Sequence, residues 1–191
     1  SYYDRTVKRQ PEYLKYNLTY DAYSLGAGAK YNFNKRSYIQ FDIKNDNYDT
    51  NYLYTNEDGD NKVGDEVRQK RQHYYSGNLK SLFRFTENTR TIFGVEYIQE
   101  TLDRPSFNVD ERAYTWAAYA QEEITLFKNL QIQAGLRYVY HETAKSNVTP
   151  KLAVMYRLGD FTIRGQYSAG FRAPGLDELY KYSYSQRGTR A

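Results

Sequence analysis

Phe161-Thr162-Ile163-Arg164-Gly165-Gln166-Tyr167-Ser168-Ala169-Gly170-Phe171-Arg172-Ala173-Pro174-Gly175-Leu176-Asp177-Glu178-Leu179-Tyr180 is the stretch on which the reading of this chain turns. Its first half alternates. Phe161, Ile163, Gly165 and Tyr167 point one way, and Thr162, Arg164, Gln166 and Ser168 the other, which is the period of a β-strand. After Gly170 the alternation stops. Pro174 fixes its own φ and has no N–H to give a sheet. It also pushes Ala173 away from the helical region, and Gly175 permits a sharp change of direction. These residues describe a strand that leaves its sheet at a rigid corner, with one arginine, Arg172, at that corner.

The same alternation runs back through the chain. From Glu12, Leu14, Tyr16, Leu18 and Tyr20 share a face. After a bend near Asp21 to Ser24, Leu25, Ala27, Ala29, Tyr31 and Phe33 continue it, opposed by Gly26, Gly28, Lys30 and Asn32. Ile39, Phe41 and Ile43 follow, then Tyr75, Leu79, Phe83 and Phe85, then Phe93, Val95 and Tyr97. Trp116, Ala118, Ala120 and Ile124 form a less regular strand. Glu122 falls on its apolar side, which a β-bulge would explain. Ile132, Ala134, Leu136, Tyr138 and Tyr140 precede Leu152, Val154, Tyr156 and Leu158. The pattern predicts about nine strands and no helix of any length. Ser1 to Pro11 is read as the end of a loop.

The connections sort into two kinds. Tight turns at Asn34, Glu87, Lys128 and Gly159 alternate with longer connections at Asn45 to Arg68, Asp103 to Glu111 and Thr143 to Thr149. Outer-membrane barrels have short periplasmic turns and longer extracellular loops. Phe33, Phe85, Phe127 and Phe161 all fall beside tight turns, where a lower aromatic girdle would sit.

Composition fits this reading. The chain has 191 residues, of which 17% are aromatic, and 23 of them are Tyr. Mean hydropathy is −0.90, and no apolar run approaches the roughly 18 residues of a membrane-crossing helix. A β-barrel escapes that test, because only every second residue meets lipid. Cysteine is absent, which excludes disulfides and thiolate metal sites. The net charge of +4 comes from interleaved charges of both signs, so no nucleic-acid partner is expected. Ser1 opens no signal peptide, and the numbering is expected to begin inside a mature or truncated chain.

Gly170-Phe171-Arg172-Ala173-Pro174 followed by Leu176-Asp177-Glu178-Leu179-Tyr180 resembles the G-F-R-A-P-x-L-x-E-L-Y box of bacterial TonB-dependent outer-membrane receptors. The F-R-A-P wording is similar above all to that of haem receptors; vitamin B12 and siderophore receptors carry related versions. The resemblance covers about a dozen positions in one register. It implies an all-β fold, a transmembrane antiparallel barrel of about 22 strands, of which this chain would supply part of the wall. Residues 1–191 are expected to be a central fragment of the barrel domain, with the plug domain and the C-terminal strands outside it.

By the same resemblance, the intact protein imports a scarce iron or cobalt chelate, with haem first and vitamin B12 or a ferric siderophore next. Its expected partners are the TonB-ExbB-ExbD energy-transducing complex, its own plug domain, the small chelate and, in some receptors, a surface lipoprotein. Phe171, Arg172, Ala173, Pro174, Leu176, Glu178, Leu179 and Tyr180 would form the family box at the barrel rim. Tyr182, Tyr184 and His141 are candidates for ligand contact. His141 otherwise reads as a solvated rim histidine. No cofactor and no protein-held metal are expected. Asp58 and Asp60 lack the rest of a calcium loop and read as a turn.

Three further readings compete. A passive porin predicts the same strands without the box. An outer-membrane enzyme needs a catalytic constellation, and none is visible: Glu122 and Glu123 are adjacent in a strand and face opposite ways. A soluble β-sandwich would bury the apolar face in a second sheet. If the barrel orientation is right, an impermeant amine reagent on intact cells reaches Lys62 and spares Lys35 and Lys128; the opposite pattern reverses the orientation.

Overall fold

The computed structural model describes residues 2–7 and 15–180, with the backbone alone for 3–7. Among the described residues, nine antiparallel strands form one sheet in strict chain order. They are β1 (Tyr2–Val7), β2 (Tyr16–Asn34), β3 (Ser37–Tyr54), β4 (Glu66–Phe83), β5 (Thr89–Arg104), β6 (Val109–Leu126), β7 (Leu130–His141), β8 (Lys145–Leu158) and β9 (Phe161–Ser168). One helical turn, α1 (Leu176–Leu179), follows.

The alternation becomes two surfaces. Ala29, Phe41, Leu79, Val95, Ala118, Tyr138 and Val148 lie in one row of cross-strand partners from β2 to β8. The adjacent row holds Lys30, Gln40, Lys80, Gly94, Tyr119, Arg137 and Thr149. Successive strand residues point to opposite faces, so one face is apolar and the other polar. The apolar side chains are exposed, as Leu25, Phe41, Leu136 and Ile163 are. No second layer covers them among the described residues. Such a surface is stable against lipid, not water.

Aromatic residues border this face. Phe83 stacks with Phe33, Phe85 and Phe93 at 5.5, 6.0 and 5.6 Å beside the tight turns. At the other border lie Tyr75, Tyr97 and Trp116, the last two 4.5 Å apart. From Phe33 to Tyr23 is about ten residues, roughly 25 Å of height for a strand tilted near 40°. Beyond that border the same face becomes charged: Arg71 donates from Nε and NH2 to Asp49 at 2.7 and 2.6 Å.

Several expectations change. Asn45 to Arg68 is not one long loop, because β3 and β4 stay paired from Asn45↔Tyr75 to Leu53↔Glu66 and only 55–65 connects them. Above the bilayer both faces are polar, so composition there resembles a loop although the ladder continues. For the same reason the connections at Asp103 to Glu111 and Thr143 to Thr149 shrink to 105–108 and 142–144. Tyr2–Val7 is a strand, not a loop end. There is no bend at Asp21 to Ser24. Uninterrupted alternation therefore puts Leu18 on the polar face, opposite to Leu25; Leu14 lies outside the described residues. No bulge excuses Glu122, which pairs in register with Thr91 and Ala134. The register instead shifts at Phe33 of β2, between the pairs Asn32↔Tyr38 and Asn34↔Ser37, and at Gln69 of β4, between Thr50↔Lys70 and Asn51↔Arg68.

Gly94 shows how tightly the polar face packs. A Cβ there would sit 2.6 Å from the Leu79 carbonyl oxygen and 2.6 Å from the Tyr119 ring. The Tyr119 ring also lies under Arg137, whose guanidinium pairs with Glu96. Gly94→Ala is expected to destabilise the folded barrel by about 1–3 kcal/mol through overpacking. Gly77→Ala, where nothing lies within 4 Å, should be close to neutral. Denaturant unfolding of the two variants in detergent checks the difference.

Candidate functional site at the rim

β9 rises from the tight turn at Gly159-Asp160 and its pairing ends at Ser168↔Lys151. Ala169 still donates its amide to the Pro150 carbonyl at 3.0 Å. The backbone then leaves the sheet. It does not continue upward but returns over the polar face, the lumen side, and lands on the upper ends of β4, β5 and β6. Pro174 and the extended residue before it keep this run out of any ladder. Gly175 takes ordinary extended angles, φ −71° and ψ 159°. The change of direction thus needs no left-handed glycine at 175.

One helical turn follows. Leu179 and Tyr180 donate their amides to the Gly175 and Leu176 carbonyls, both at 3.0 Å. Glu178 binds within the box: Oε1 accepts from Arg172 NH2 at 2.7 Å, and Oε2 from the Gly175 amide at 3.3 Å. The Arg172 side chain is 82% exposed, so this pair adds little stability but braces the corner.

Leu176 is buried against Leu102 and Ala113, with Val109 and Tyr180 around them. All of these lie on the polar face or fold onto it. Burial pushes the Tyr180 hydroxyl above its usual range, and its hydrogen bond to Glu111 adds to this. The Glu100 carboxylate is buried at 8% exposure. It accepts from Tyr74 Oη at 2.9 Å and from the Leu176 amide at 3.3 Å. Asp177 pairs with Lys70 Nζ at 3.1 Å and with Arg104.

The structure thus gathers Arg172, Leu176, Glu178 and Tyr180 into one folded segment with Phe171, Ala173, Pro174 and Leu179. It does not bring His141 into it. His141 is buried at 4% exposure, and its Nδ1 accepts the amides of Thr143 and Ala144, both at 3.1 Å. It closes the β7–β8 turn and is not the solvated rim histidine expected. His73 faces the apolar side and stacks on Tyr75. Tyr182 and Tyr184 lie outside the described residues. Glu100, Lys70, Arg104 and Leu102 escaped the sequence reading. The signal was Leu102 itself, an apolar residue in the polar phase of its strand.

An open antiparallel wall with one apolar, lipid-facing side, and a corner segment folded onto its polar face, is the architecture of part of an outer-membrane barrel. Residues 1–191 match the family model described as TonB dependent receptor-like, beta-barrel. The chain belongs to that family, and its place is the bacterial outer membrane. It is 30% identical over 93 residues to the iron-regulated outer membrane virulence protein of Vibrio cholerae, covering 46% of this chain and 14% of that protein. The chain therefore spans about a seventh of the length of the curated relatives it matches. Its fold is similar to the siderophore receptor PirA from Acinetobacter baumannii, with TM-score 0.66, 16% identity, and 84% of this chain and 26% of that one covered. PirA from Pseudomonas aeruginosa gives TM-score 0.50 at 20% identity, covering 84% and 38%.

Proposed function

We propose that the intact protein is a TonB-coupled importer of an iron chelate, with a ferric siderophore ahead of haem and vitamin B12. The observation that carries this is the box segment folded over the lumen face at the rim. That segment carries the receptor-like box and is held to the wall through Leu176 and Asp177. The F-R-A-P wording favours haem. Two points reverse that order. His141, the rim histidine, is spent on the β7–β8 turn. The relatives carry the words iron-regulated and siderophore in their names.

In this reading a plug domain fills the lumen, against the polar side chains of the inner face. Near the tight-turn end these include Glu123, Gln131, Gln133, Arg164 and Gln166, which line one hollow. TonB-ExbB-ExbD supplies the energy that moves the plug while the hydrogen-bonded wall holds its shape. A surface lipoprotein is a further partner for those receptors whose chelate is handed over by a carrier. Tyr182 and Tyr184, which follow the box in sequence, are the candidates for ligand contact, since aromatic rings suit a planar ligand.

Deletion of the whole gene should abolish growth on at least one ferric siderophore as sole iron source. Unimpaired growth on every siderophore, haem and vitamin B12 would overturn the importer reading. Arg172→Ala should leave surface abundance normal and lower uptake several-fold, since the lost pair is exposed and the wall does not depend on it. Uptake that falls only in proportion to abundance would reduce the box to a structural corner.

A further inference from the structure

A helix of one turn does not hold itself together in water, because nucleation costs more than its few hydrogen bonds return. α1 therefore depends on what it touches. Besides the hydrogen bond of Tyr180 to Glu111, three separate contacts hold it to the inner face, and none of them belongs to the ladder of the wall.

The first is apolar. Leu102 is fully buried, and Leu176 is 3% exposed beside it. Uncovered, Leu102 and Ala113 would be an apolar patch on a hydrated face. The second is a buried acceptor. Both oxygens of Glu100 are engaged, one by the β4 hydroxyl of Tyr74 and one by the Leu176 amide. Withdrawal of α1 leaves half of this carboxylate to be rehydrated, which is unfavourable while it stays buried. The third is ionic. Lys70 on β4 and Arg104 on β5 are cations on neighbouring strands, and Asp177 gives one carboxylate oxygen to each. Such charge-assisted bonds are stronger than neutral ones. The three contacts converge on two adjacent residues, Leu176 and Asp177.

We propose that Glu100, Lys70 and Arg104 are positioning residues. Together they form a seat that fixes the Leu176-Asp177 corner on the lumen face. The use of this seat for ligand capture rests on the importer reading; the seat itself does not. The wall does not need it for its ladder, since β4 pairs with β5 from Arg71↔Asp103 to Phe83↔Thr91 and β5 with β6 from Arg104↔Val109 to Thr89↔Ile124 without any bond from α1. The Asp177 side chain keeps 37% of its surface in contact with solvent. Water can therefore reach the ionic contact.

The test uses the full-length receptor in its own outer membrane, carrying Gly175→Cys as a reporter. A Cβ at Gly175 makes ordinary contact with the Glu100 oxygens, at 3.6 and 3.7 Å, and the backbone angles there suit any residue. An impermeant maleimide should label this thiol slowly. Asp177→Arg sets three cations together and should raise the labelling rate about tenfold or more, as for a segment freed from its local anchor. Adding Arg104→Asp restores an opposite-charge pair and should bring the rate back towards the parent. A second reporter, Glu57→Cys in the β3–β4 connection, should not change. Equal labelling at position 175 in all three backgrounds would overturn the proposal. So would a rise that the charge swap fails to reverse, or a loss of surface abundance in Asp177→Arg and in the milder Asp177→Asn. No ligand enters these measurements, so the seat stands or falls on them whether or not the importer reading holds.

Discussion

Everything in this chain depends on one constraint: inside a bilayer, no backbone N–H or C=O can be left without a partner. From β2 to β9 the strands meet it by pairing in chain order, with register shifts at Phe33 of β2 and Gln69 of β4. Among the described residues, the outer edge of β2 past its pairing with β1 and the outer edge of β9 stay open for further strands of the barrel. The ladder then dictates the rest. It forces strict alternation, which produces the two faces. It places the turns 35–36, 84–88, 127–129 and 159–160 on one side and the connections 55–65, 105–108 and 142–144 on the other, of which only 55–65 is long. Even Pro150 obeys it. Its carbonyl accepts from Ala169, on the β9 side, and N–H and C=O of one strand residue address the same neighbour. The missing donor thus falls where β9 stops pairing, and the ladder loses nothing.

The same constraint explains what was legible in the sequence. Within the bilayer, alternation is sharp because one face meets lipid and the other does not. Leu25 to Phe33, Ile39 to Ile43 and Phe93 to Tyr97 were therefore readable residue by residue, as were the four tight turns. Above the bilayer both faces meet water, and the contrast between them vanishes. Asn45 to Tyr54 and Glu66 to Tyr74 remain paired strands, yet nothing in their composition separates them from a polar loop. Leu18 was misassigned for that reason: an apolar residue in a polar stretch looks like a continuation of the lipid face, and only the register shows otherwise.

The rim site was half legible. The box residues announced a corner, because proline and an interrupted period are local signals. Their partners were invisible, because contacts of Asp177 with Lys70 and Arg104 span 107 and 73 residues of sequence. The hydrogen bond from the Leu176 amide to Glu100 spans 76. No periodicity encodes such pairings. What the sequence does contain is a small anomaly, Leu102 in the polar phase of β5, and Leu176 fills the hydrophobic position it creates. The wall is thus set by a repeating pattern, and the segment that makes it more than a wall is set by a few long-range exceptions to that pattern.

The central claim is the two-faced wall in the register described, and β2 tests it most directly. Single nitroxide labels placed from position 16 to position 33 of the full-length receptor in lipid bilayers report collisions with oxygen, which concentrates in lipid. Oxygen accessibility should peak at positions 25, 27, 29 and 31 and fall at 26, 28 and 30. Positions 18 and 20 should lie in phase with the low set. A scan without a period of two, or one in which position 18 rises in phase with position 25, would contradict the account.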